Sequence, residues 1–132
     1  MEAIEKVWGT EEIIINDQVN NICVKRMTIK PKHFSSWHLH PKKSEYFHVI
    51  SGSLCVETIN FGPGITSDNR YPEFTYENCW VGDVDEGTML FIRNGCTHIF
   101  CNNSDQDVIF MEYSNYHSDD DVVRFSESGK YE

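Results

Sequence analysis

The stretch that decides the fold is HLHPKKSEYFHVISG, residues 38–52. Side chains two positions apart in a strand share one face, so His38 and His40 point the same way if this segment is extended. Pro41 begins a turn, after which Glu45 opens the apolar run YFHVI and a glycine ends it. The pattern predicts two short strands joined by a turn, with two imidazoles and a carboxylate close together.

A second cluster, RNGCTHIFCN at residues 93–102, supplies another histidine far along the chain. Together His38, His40, Glu45 and His98 offer three imidazoles and one carboxylate. These are ligand types that hold a divalent metal ion while leaving a coordination position open. Zn, Mn, Fe and Ni all accept such ligands, so the sequence predicts one divalent ion without choosing its identity. The alternative role for Glu45 is a carboxylate that caps the core.

The spacing of these residues resembles the two sequence motifs of the cupins. Residues 38–52 match H-x-H-x4-E-x6-G at every position. Residues 87–102 match G-x5-P-x-G-x2-H-x3-N except at Arg93, which stands where the family has proline. Proline would stiffen the turn that aims the last histidine, whereas arginine adds a long cation near it. The resemblance implies an antiparallel jelly-roll β-barrel with the four ligand residues pointing into it.

The rest of the chain consists of short runs with a β pattern, separated by Gly, Pro and Asn. Many short strands of this kind are typical of an all-β barrel or sandwich. The predicted strands are residues 11–16, 21–29, 46–50, 53–59, 88–92 and 108–113. Residues 60–80 exceed an ordinary hairpin loop and are expected to fold over one mouth of the barrel. No repeat or linker interrupts the sequence, so residues 1–132 are expected to form a single cupin domain.

The acidic composition limits the classes of partner that the protein is expected to bind. The chain has 21 acidic and 11 basic residues, a net charge of −10, which argues against a nucleic-acid or anionic-membrane surface. It has no apolar run long enough to span a membrane, and the opening MEAIEK lacks a signal peptide's apolar stretch. The five cysteines show no C-x-x-C spacing, which indicates reduced thiols and a cytoplasmic protein. We expect Cys96 to be a buried thiol, with metal binding as its alternative role.

Segments near both ends of the chain resemble one particular group within the cupins. Residues 5–11, EKVWGTE, are similar to the E-K-P-W-G-x-E opening of the cupin domain in type II mannose-6-phosphate isomerases, with Val7 in place of proline. Residues 118–125, SDDDVVRF, resemble the D-D-x-V-R start of that group's C-terminal signature, although SGK then replaces its Y-G-R. Both segments also suit structural roles, with Trp8 as a plug of the core and residues 119–121 as a solvated acidic run.

The isomerase resemblance implies proton transfer between adjacent carbons of a sugar or sugar phosphate. The metal would bind substrate oxygens while a side chain moves the proton. The predicted catalytic residues are Lys42, at the mouth, and Glu112, which shares a strand face with buried apolar neighbours. Lys43 and Arg93 are the predicted substrate-binding residues, because a phosphate needs cations, and Arg70 is a further donor. Solvated lysines and a salt-bridged surface glutamate are the structural alternatives.

Three other classes of cupin use related sites. A dioxygenase would hold Fe(II) in the same ligands and leave positions open for oxygen. A metal-dependent sugar-binding or regulatory cupin would keep the metal and need no base. A nucleotide-sugar epimerase or ketoisomerase acts without catalytic metal through a His and a Tyr, and the complete ligand set argues against it. We expect a small-molecule ligand and a homodimer, because short cupins commonly pair through a sheet.

Overall fold

The computed structural model describes residues 2–59 and 79–132. Within these ranges every regular element is a β-strand. The strands are β1 Glu2–Lys6, β2 Gly9–Asp17, β3 Ile22–Ile29, β4 His33–Phe34, β5 His38–Leu39, β6 Glu45–Ser51, β7 Leu54–Ile59, β8 Cys79–Val84, β9 Met89–Ile92, β10 Thr97–Cys101, β11 Val108–Ser114, β12 Val123–Arg124 and β13 Gly129–Lys130. Among the described residues no helix has the length and apolar character needed to cross a membrane.

One wall of the barrel is a six-stranded antiparallel sheet in the order β1-β2-β3-β11-β6-β9. Its central strands alternate buried and more exposed side chains, the pattern of a sheet with one face on the core. In β3, for example, Cys23, Lys25, Met27 and Ile29 are buried. The register places Lys25 directly opposite Glu112 of β11. Two charged residues therefore face the interior side by side.

The other wall is built around β10. This strand pairs with β5 and β4, which follow one another along the same edge, and with β7 on its other side. The path β12-β5-β10-β4-β13 is completed by β7 and β8, which pair with each other. All residues of β10 are buried, and strands pair with both of its edges. The strand that carries His98 is thus the most enclosed element of this sheet.

The two walls meet in an aromatic core. The ring of Phe110 lies with its centroid 4.9 Å from that of Phe47 and 5.5 Å from that of Phe100, so residues of both sheets are in contact. Trp8 packs edge-on against Phe100 with ring centroids 5.1 Å apart, and it is only 6% exposed. Its predicted role as a plug of the core is confirmed. The aromatic core borders the histidines, because the ring centroid of Phe47 lies 5.9 Å from that of His98.

The predicted all-β antiparallel barrel is confirmed, and every predicted strand is present with ends that differ by at most two residues. Six strands were not predicted, namely β1, β4, β8, β10, β12 and β13. The sequence of β1, EAIEK, is mostly exposed and looks like a solvated segment, but all its residues pair with β2. β8 begins at the end of the stretch assigned to a loop. The remainder of that predicted loop, residues 60–78, lies outside the described residues.

Candidate metal centre

His38 and His98 face each other across two paired strands. They are direct partners in the antiparallel register of β5 and β10, so their side chains project from the same face. Their ring centroids are 4.3 Å apart, and the ring of His40 lies 5.1 Å from that of His38. One ring nitrogen from each histidine falls within 4.8 Å of the others. The two sequence motifs therefore converge in the interior, as predicted.

The backbone holds all three imidazoles in one tautomer. Nδ1 of each ring lies 2.7–2.9 Å from a carbonyl oxygen, that of Ser36 for His38, Asp121 for His40 and Cys96 for His98. A carbonyl oxygen only accepts, so each Nδ1 carries the proton and each Nε2 keeps its lone pair. Burial lowers the pKa of the first two rings to about 3 and that of the third to about 4. The rings are neutral near pH 7, the state that binds metal.

Glu45, the first residue of β6, lies against the histidines. It is 1% exposed, and its Oε1 is 3.4 Å from Nε2 of His40 and 3.3 Å from Nε2 of His98. Within the described part of the chain, neither carboxylate oxygen makes a hydrogen bond, and nor does Nε2 of His98. Buried polar atoms without partners are rare, and one cation would satisfy all of these. Burial, and then the carboxylate of Glu112, raises the pKa of Glu45.

The residues present therefore fit one divalent metal ion. Three neutral imidazoles converge on the same point, which is suited to Zn, Mn, Fe or Ni. A divalent ion would hold Glu45 ionised despite its burial, and its place as the fourth ligand stays a prediction. Cys96 is buried, and burial raises the pKa of its thiol to about 11. It is thus a protonated thiol at neutral pH, in agreement with the expected structural role.

A buried ion pair lies beside the histidines. Nζ of Lys43 is 3.3 Å from Oε2 of Glu112 and 3.9 Å from Oε2 of Glu45, and the lysine side chain is 2% exposed. Burial opposes the charge on Lys43, yet the two carboxylates raise its pKa, so the ammonium is retained. Burial likewise opposes ionisation of Glu112, but Lys43 holds the pKa of that carboxyl well below its usual range. Lys43 was predicted to bind substrate, with a solvated surface lysine as the alternative, and it lies buried inside the barrel.

The ion pair belongs to a row of alternating charges across the interior. Lys25 forms a salt bridge with Glu11 of β2 and stands opposite Glu112 in the sheet. The row therefore runs through Glu11, Lys25, Glu112, Lys43 and Glu45. Removing an ion from water is costly unless an opposite charge replaces the lost solvation. Alternation of sign explains how so many charged side chains are buried at one end of a small barrel.

Asp121 holds the turn between His40 and Glu45. Its carboxylate accepts the backbone N–H groups of Lys42 at 2.8 Å and Lys43 at 3.0 Å, while its carbonyl orients His40. The residue is 5% exposed, so the expected solvated acidic run is wrong at this position. The sequence DDD gives no sign of which aspartate is buried. The resemblance of the tail to a family signature was the one available signal.

The metal centre opens into a cavity of about 790 Å³. Its wall includes His38 and His40 together with Lys43 and Glu112. The cavity therefore joins metal-ligating groups, an ionised carboxylate and a buried ammonium in one space. This combination can bind a polar molecule, polarise its oxygens and exchange a proton with it.

The other cations predicted for the site are the catalytic lysine Lys42 and the substrate-binding arginine Arg93, with Arg70 as a further donor. Lys42 and Arg93 are exposed, and neither lines the cavity. Arg70 lies outside the described residues. Arg124 does line the cavity, and our reading of the sequence did not assign it to the site. Its strand, β12, has only two residues, too few to show which face they use, so the D-D-x-V-R resemblance was again the only signal.

Comparisons with known proteins agree with this architecture. The family model described as Cupin matches residues 6–127. A crystal structure of CapF with the inhibitor 3-isopropenyl-tropolone has 19% identity and a TM-score of 0.72, over 95% of this chain and 34% of that one. Bacillus subtilis oxalate decarboxylase, studied for its Mn(II) centres, has 21% identity and a TM-score of 0.71, over 95% and 30%. The Lactobacillus farciminis oxalate decarboxylase formate complex has 18% identity and a TM-score of 0.68, over 98% and 33%.

No curated protein matches the chain. The chain spans about a third of the length of the three proteins above, with 34%, 30% and 33% of their chains covered. At identities of 18–21%, the similarity to these three proteins shows a shared fold and nothing more. The family match covers most of the sequence, and the histidines of both motifs meet in the barrel with Nε2 free for one divalent ion. The chain belongs to the cupin family.

Proposed function

We propose that this cupin is a metal-dependent isomerase that interconverts an aldose and a ketose, acting on a sugar or a sugar phosphate. The observation that carries the proposal is the shared cavity, in which the histidine cluster and the Lys43–Glu112 ion pair face the same space. Isomerisation requires a group that polarises the carbonyl and a group that moves a proton between neighbouring carbons. Both kinds of group border this cavity.

Glu112 is the residue that we assign to proton transfer. It is ionised because Lys43 offsets the effect of burial on its pKa, so it can take a proton from the carbon next to the substrate carbonyl. The same carboxyl then returns the proton to the adjacent carbon, and the hydroxyl proton passes from one substrate oxygen to the neighbouring one, which completes the isomerisation. A substrate hydroxyl that takes over hydrogen bonds of Lys43 would weaken the ion pair and raise the pKa of Glu112 towards the range of an effective base.

Lys43 supplies positive charge on the same side of the cavity. Its ammonium stays protonated, so it can donate hydrogen bonds to the substrate oxygen that becomes negative as the proton leaves carbon. A divalent ion held by the three histidines and Glu45 would supply Lewis acidity towards substrate oxygens. Lys42 is exposed outside the cavity and takes no part in this proposal.

The two ends of the chain support a sugar or sugar phosphate as substrate. Lys6, Val7 and Trp8 come from the opening that resembles type II mannose-6-phosphate isomerases, and Val122 and Arg124 come from the tail. All of them line the cavity. The segments that carry the finer resemblance thus border the same space as the metal centre. The volume of about 790 Å³ also lies within the range of about 300–1,000 Å³ typical of small-molecule sites.

Isomerisation in D₂O tests the proposal. Pentoses, hexoses and their phosphates are incubated with metal-loaded protein, and NMR follows both the new sugar and deuterium incorporation at the exchanged carbon. We expect turnover that stops on chelation and returns with Mn, Zn or Ni. Glu112→Gln should lower kcat by about 100-fold or more, the effect of losing a general base, while metal content is unchanged. Glu12→Gln, on β2 of the same sheet and off the cavity wall, is the control and should keep full activity.

Other outcomes of this experiment contradict the isomerase and identify the alternatives. Tight metal-dependent sugar binding without deuterium exchange would make the protein a sugar-binding or regulatory cupin. Oxygen consumption with Fe(II) would make it a dioxygenase. Either result is obtained with the same preparations, because metal content and ligand binding are measured before turnover.

We also propose that the protein is a homodimer that pairs through the outer face of β6, β9 and β11. The outward positions of these strands carry no Asp, Glu, Lys or Arg, and His48 is their one titratable imidazole. Four of them, Tyr46, Ile50, Met89 and Phe91, are 46–51% exposed, and the rings of Tyr46 and Phe91 are 4.8 Å apart. Two chains of net charge −10 repel each other, and an uncharged face is where identical copies can meet without opposing like charges. A second copy therefore suits this surface.

Light scattering at micromolar concentration tests the dimer. The wild type should have twice the mass of the chain, because burying apolar sheet surface drives association. Phe91→Glu should give a monomer, because it places carboxylates face to face in the interface. Val81→Glu is the matched control on β8 of the other sheet, where the side chain is 64% exposed, and it should remain dimeric. A monomeric wild type, or a dimeric Phe91→Glu variant, contradicts the proposed interface.

A further inference from the structure

Arg124 is placed next to a metal ligand by strand pairing. Arg124 of β12 and His38 of β5 are direct partners in an antiparallel register, so their side chains share one face of the sheet. Ser36 connects them, because its carbonyl oxygen accepts from Nδ1 of His38 at 2.7 Å and its hydroxyl oxygen accepts from Nη1 of Arg124 at 3.1 Å. Both Arg124 and His38 line the cavity.

The charge of Arg124 is available to a ligand. The lysines that line the cavity each form a salt bridge with a glutamate, Lys6 and Lys25 with Glu11 and Lys43 with Glu112. Arg124 forms no salt bridge with any carboxylate in residues 2–59 and 79–132. The one side-chain hydrogen bond found for it there, to Ser36, leaves most of its N–H donors for other partners. The residue is exposed to the cavity, so a ligand can reach it.

Acidic groups on the cavity wall make an arginine without a carboxylate partner in the described ranges more valuable to an anion. Glu5, Asp119 and Glu127 line the cavity and are exposed, so they repel anionic ligands. An anion that enters must gain a compensating interaction inside. The planar guanidinium fork offers paired donors that match the oxygens of a carboxylate or a phosphate. The sequence suggested Lys43 and Arg93 for this task, but one is occupied by carboxylates and the other lies off the cavity.

We propose that Arg124 is a specificity-determining residue that binds an oxyanion of the substrate, a carboxylate or a phosphate, beside the metal centre. The substrate is then an acidic or phosphorylated sugar and not a neutral one. The sugar part of this statement rests on the proposed function, whereas the oxyanion part rests on the position and charge of Arg124. Different experimental results would therefore refute the two parts.

Ligand binding measured by calorimetry tests this inference on metal-loaded protein. The probes are D-mannose, D-mannose 6-phosphate, D-mannuronate and inorganic phosphate. We expect the wild type to bind at least one anionic sugar, and Arg124→Gln to weaken that binding about 10- to 100-fold, the effect of losing charge-assisted hydrogen bonds. Binding of D-mannose should change less than about twofold, and metal content should not change. The anionic sugar whose affinity depends on Arg124 shows whether phosphate or carboxylate is the group that is bound.

Arg93→Gln is the matched control, because this arginine is exposed and lies off the cavity, and it should leave every affinity unchanged. Equal anion affinities in the wild type and Arg124→Gln would overturn the inference, as would a wild type that binds no anionic probe. An equal loss for neutral and anionic sugars would also overturn it. Arg124-dependent anion binding without isomerisation would refute the proposed function alone. Turnover of neutral sugars that Arg124→Gln leaves intact would refute this inference alone.

Discussion

His98→Ala is expected to lower the affinity for a divalent metal ion by about 100- to 1000-fold. Structural metal sites with four ligands bind with about 10–16 kcal/mol, or about 2.5–4 kcal/mol for each ligand. His98 is fully buried, and its Nε2 has no other hydrogen-bond partner among the described residues, so nothing nearby replaces it. The increase in melting temperature that metal binding produces should be lost as well. Metal that binds the native state and not the unfolded state stabilises the native state by mass action.

Metal content after dialysis and thermal unfolding with and without a chelator measure this effect. His38→Ala should behave like His98→Ala. His48→Ala is the control, because His48 lies on the outer face of β6 with Nδ1 3.3 Å from the Tyr113 hydroxyl, and His33→Ala and His117→Ala should also retain the metal. A His48→Ala protein without metal, next to a His98→Ala protein that keeps it, would show that the ligand assignment is wrong.

Lys43→Met is expected to cost about 3–5 kcal/mol of unfolding free energy, the typical effect of removing one partner from a buried ion pair. The variant leaves Glu112 and Glu45 buried without their nearest cation. In the wild type the pKa of Glu112 is lowered, so the stability from this pair is present above the ordinary carboxyl pKa and is lost as the pH falls below it. The deficit of the variant should therefore be largest near neutral pH and should shrink in acid.

Urea unfolding of metal-free protein at several pH values measures this deficit. The double variant Lys43→Met/Glu112→Gln should recover much of the lost stability, because it removes the uncompensated charge of Glu112. Lys42→Met is the control at the neighbouring exposed position, where a change within about 0.5 kcal/mol is expected. A Lys43→Met protein as stable as Lys42→Met would rule out a stabilising ion pair in the interior.

The strands and the histidine cluster could be predicted because their signals are local. His38 and His40 share one face in any extended segment, and the spacing around Glu45 and His98 can be read directly from the sequence. Burial of Lys43 could not be predicted, because a lysine pair in a turn has the composition of a solvated surface. What retains Lys43 inside is a carboxylate 69 residues later in the sequence. Such a long-range partner leaves no trace in local periodicity.

Glu112 shows the limit of a local rule. Strand parity predicted that Glu112 lies on the inner face, and the structure agrees. Parity does not identify the cations that offset the cost of burying its carboxylate. Those cations come from β3 and from the turn before β6. For Arg124 the local rule gives no prediction, because its two-residue strand is too short to show an alternating pattern. Its place beside His38 depends on pairing with β5.

The carbonyl oxygens that orient the imidazoles also bear on how this protein can evolve. Every amino acid carries a backbone carbonyl, so Ser36 and Cys96 can be exchanged without removing the group that accepts from His38 or His98. Selection on ligand orientation acts there on the path of the main chain and not on side-chain identity. Orientation of the imidazoles alone therefore does not fix the side chains at these two positions. A lineage of such proteins could acquire new substrates while the ligand cluster stays in place.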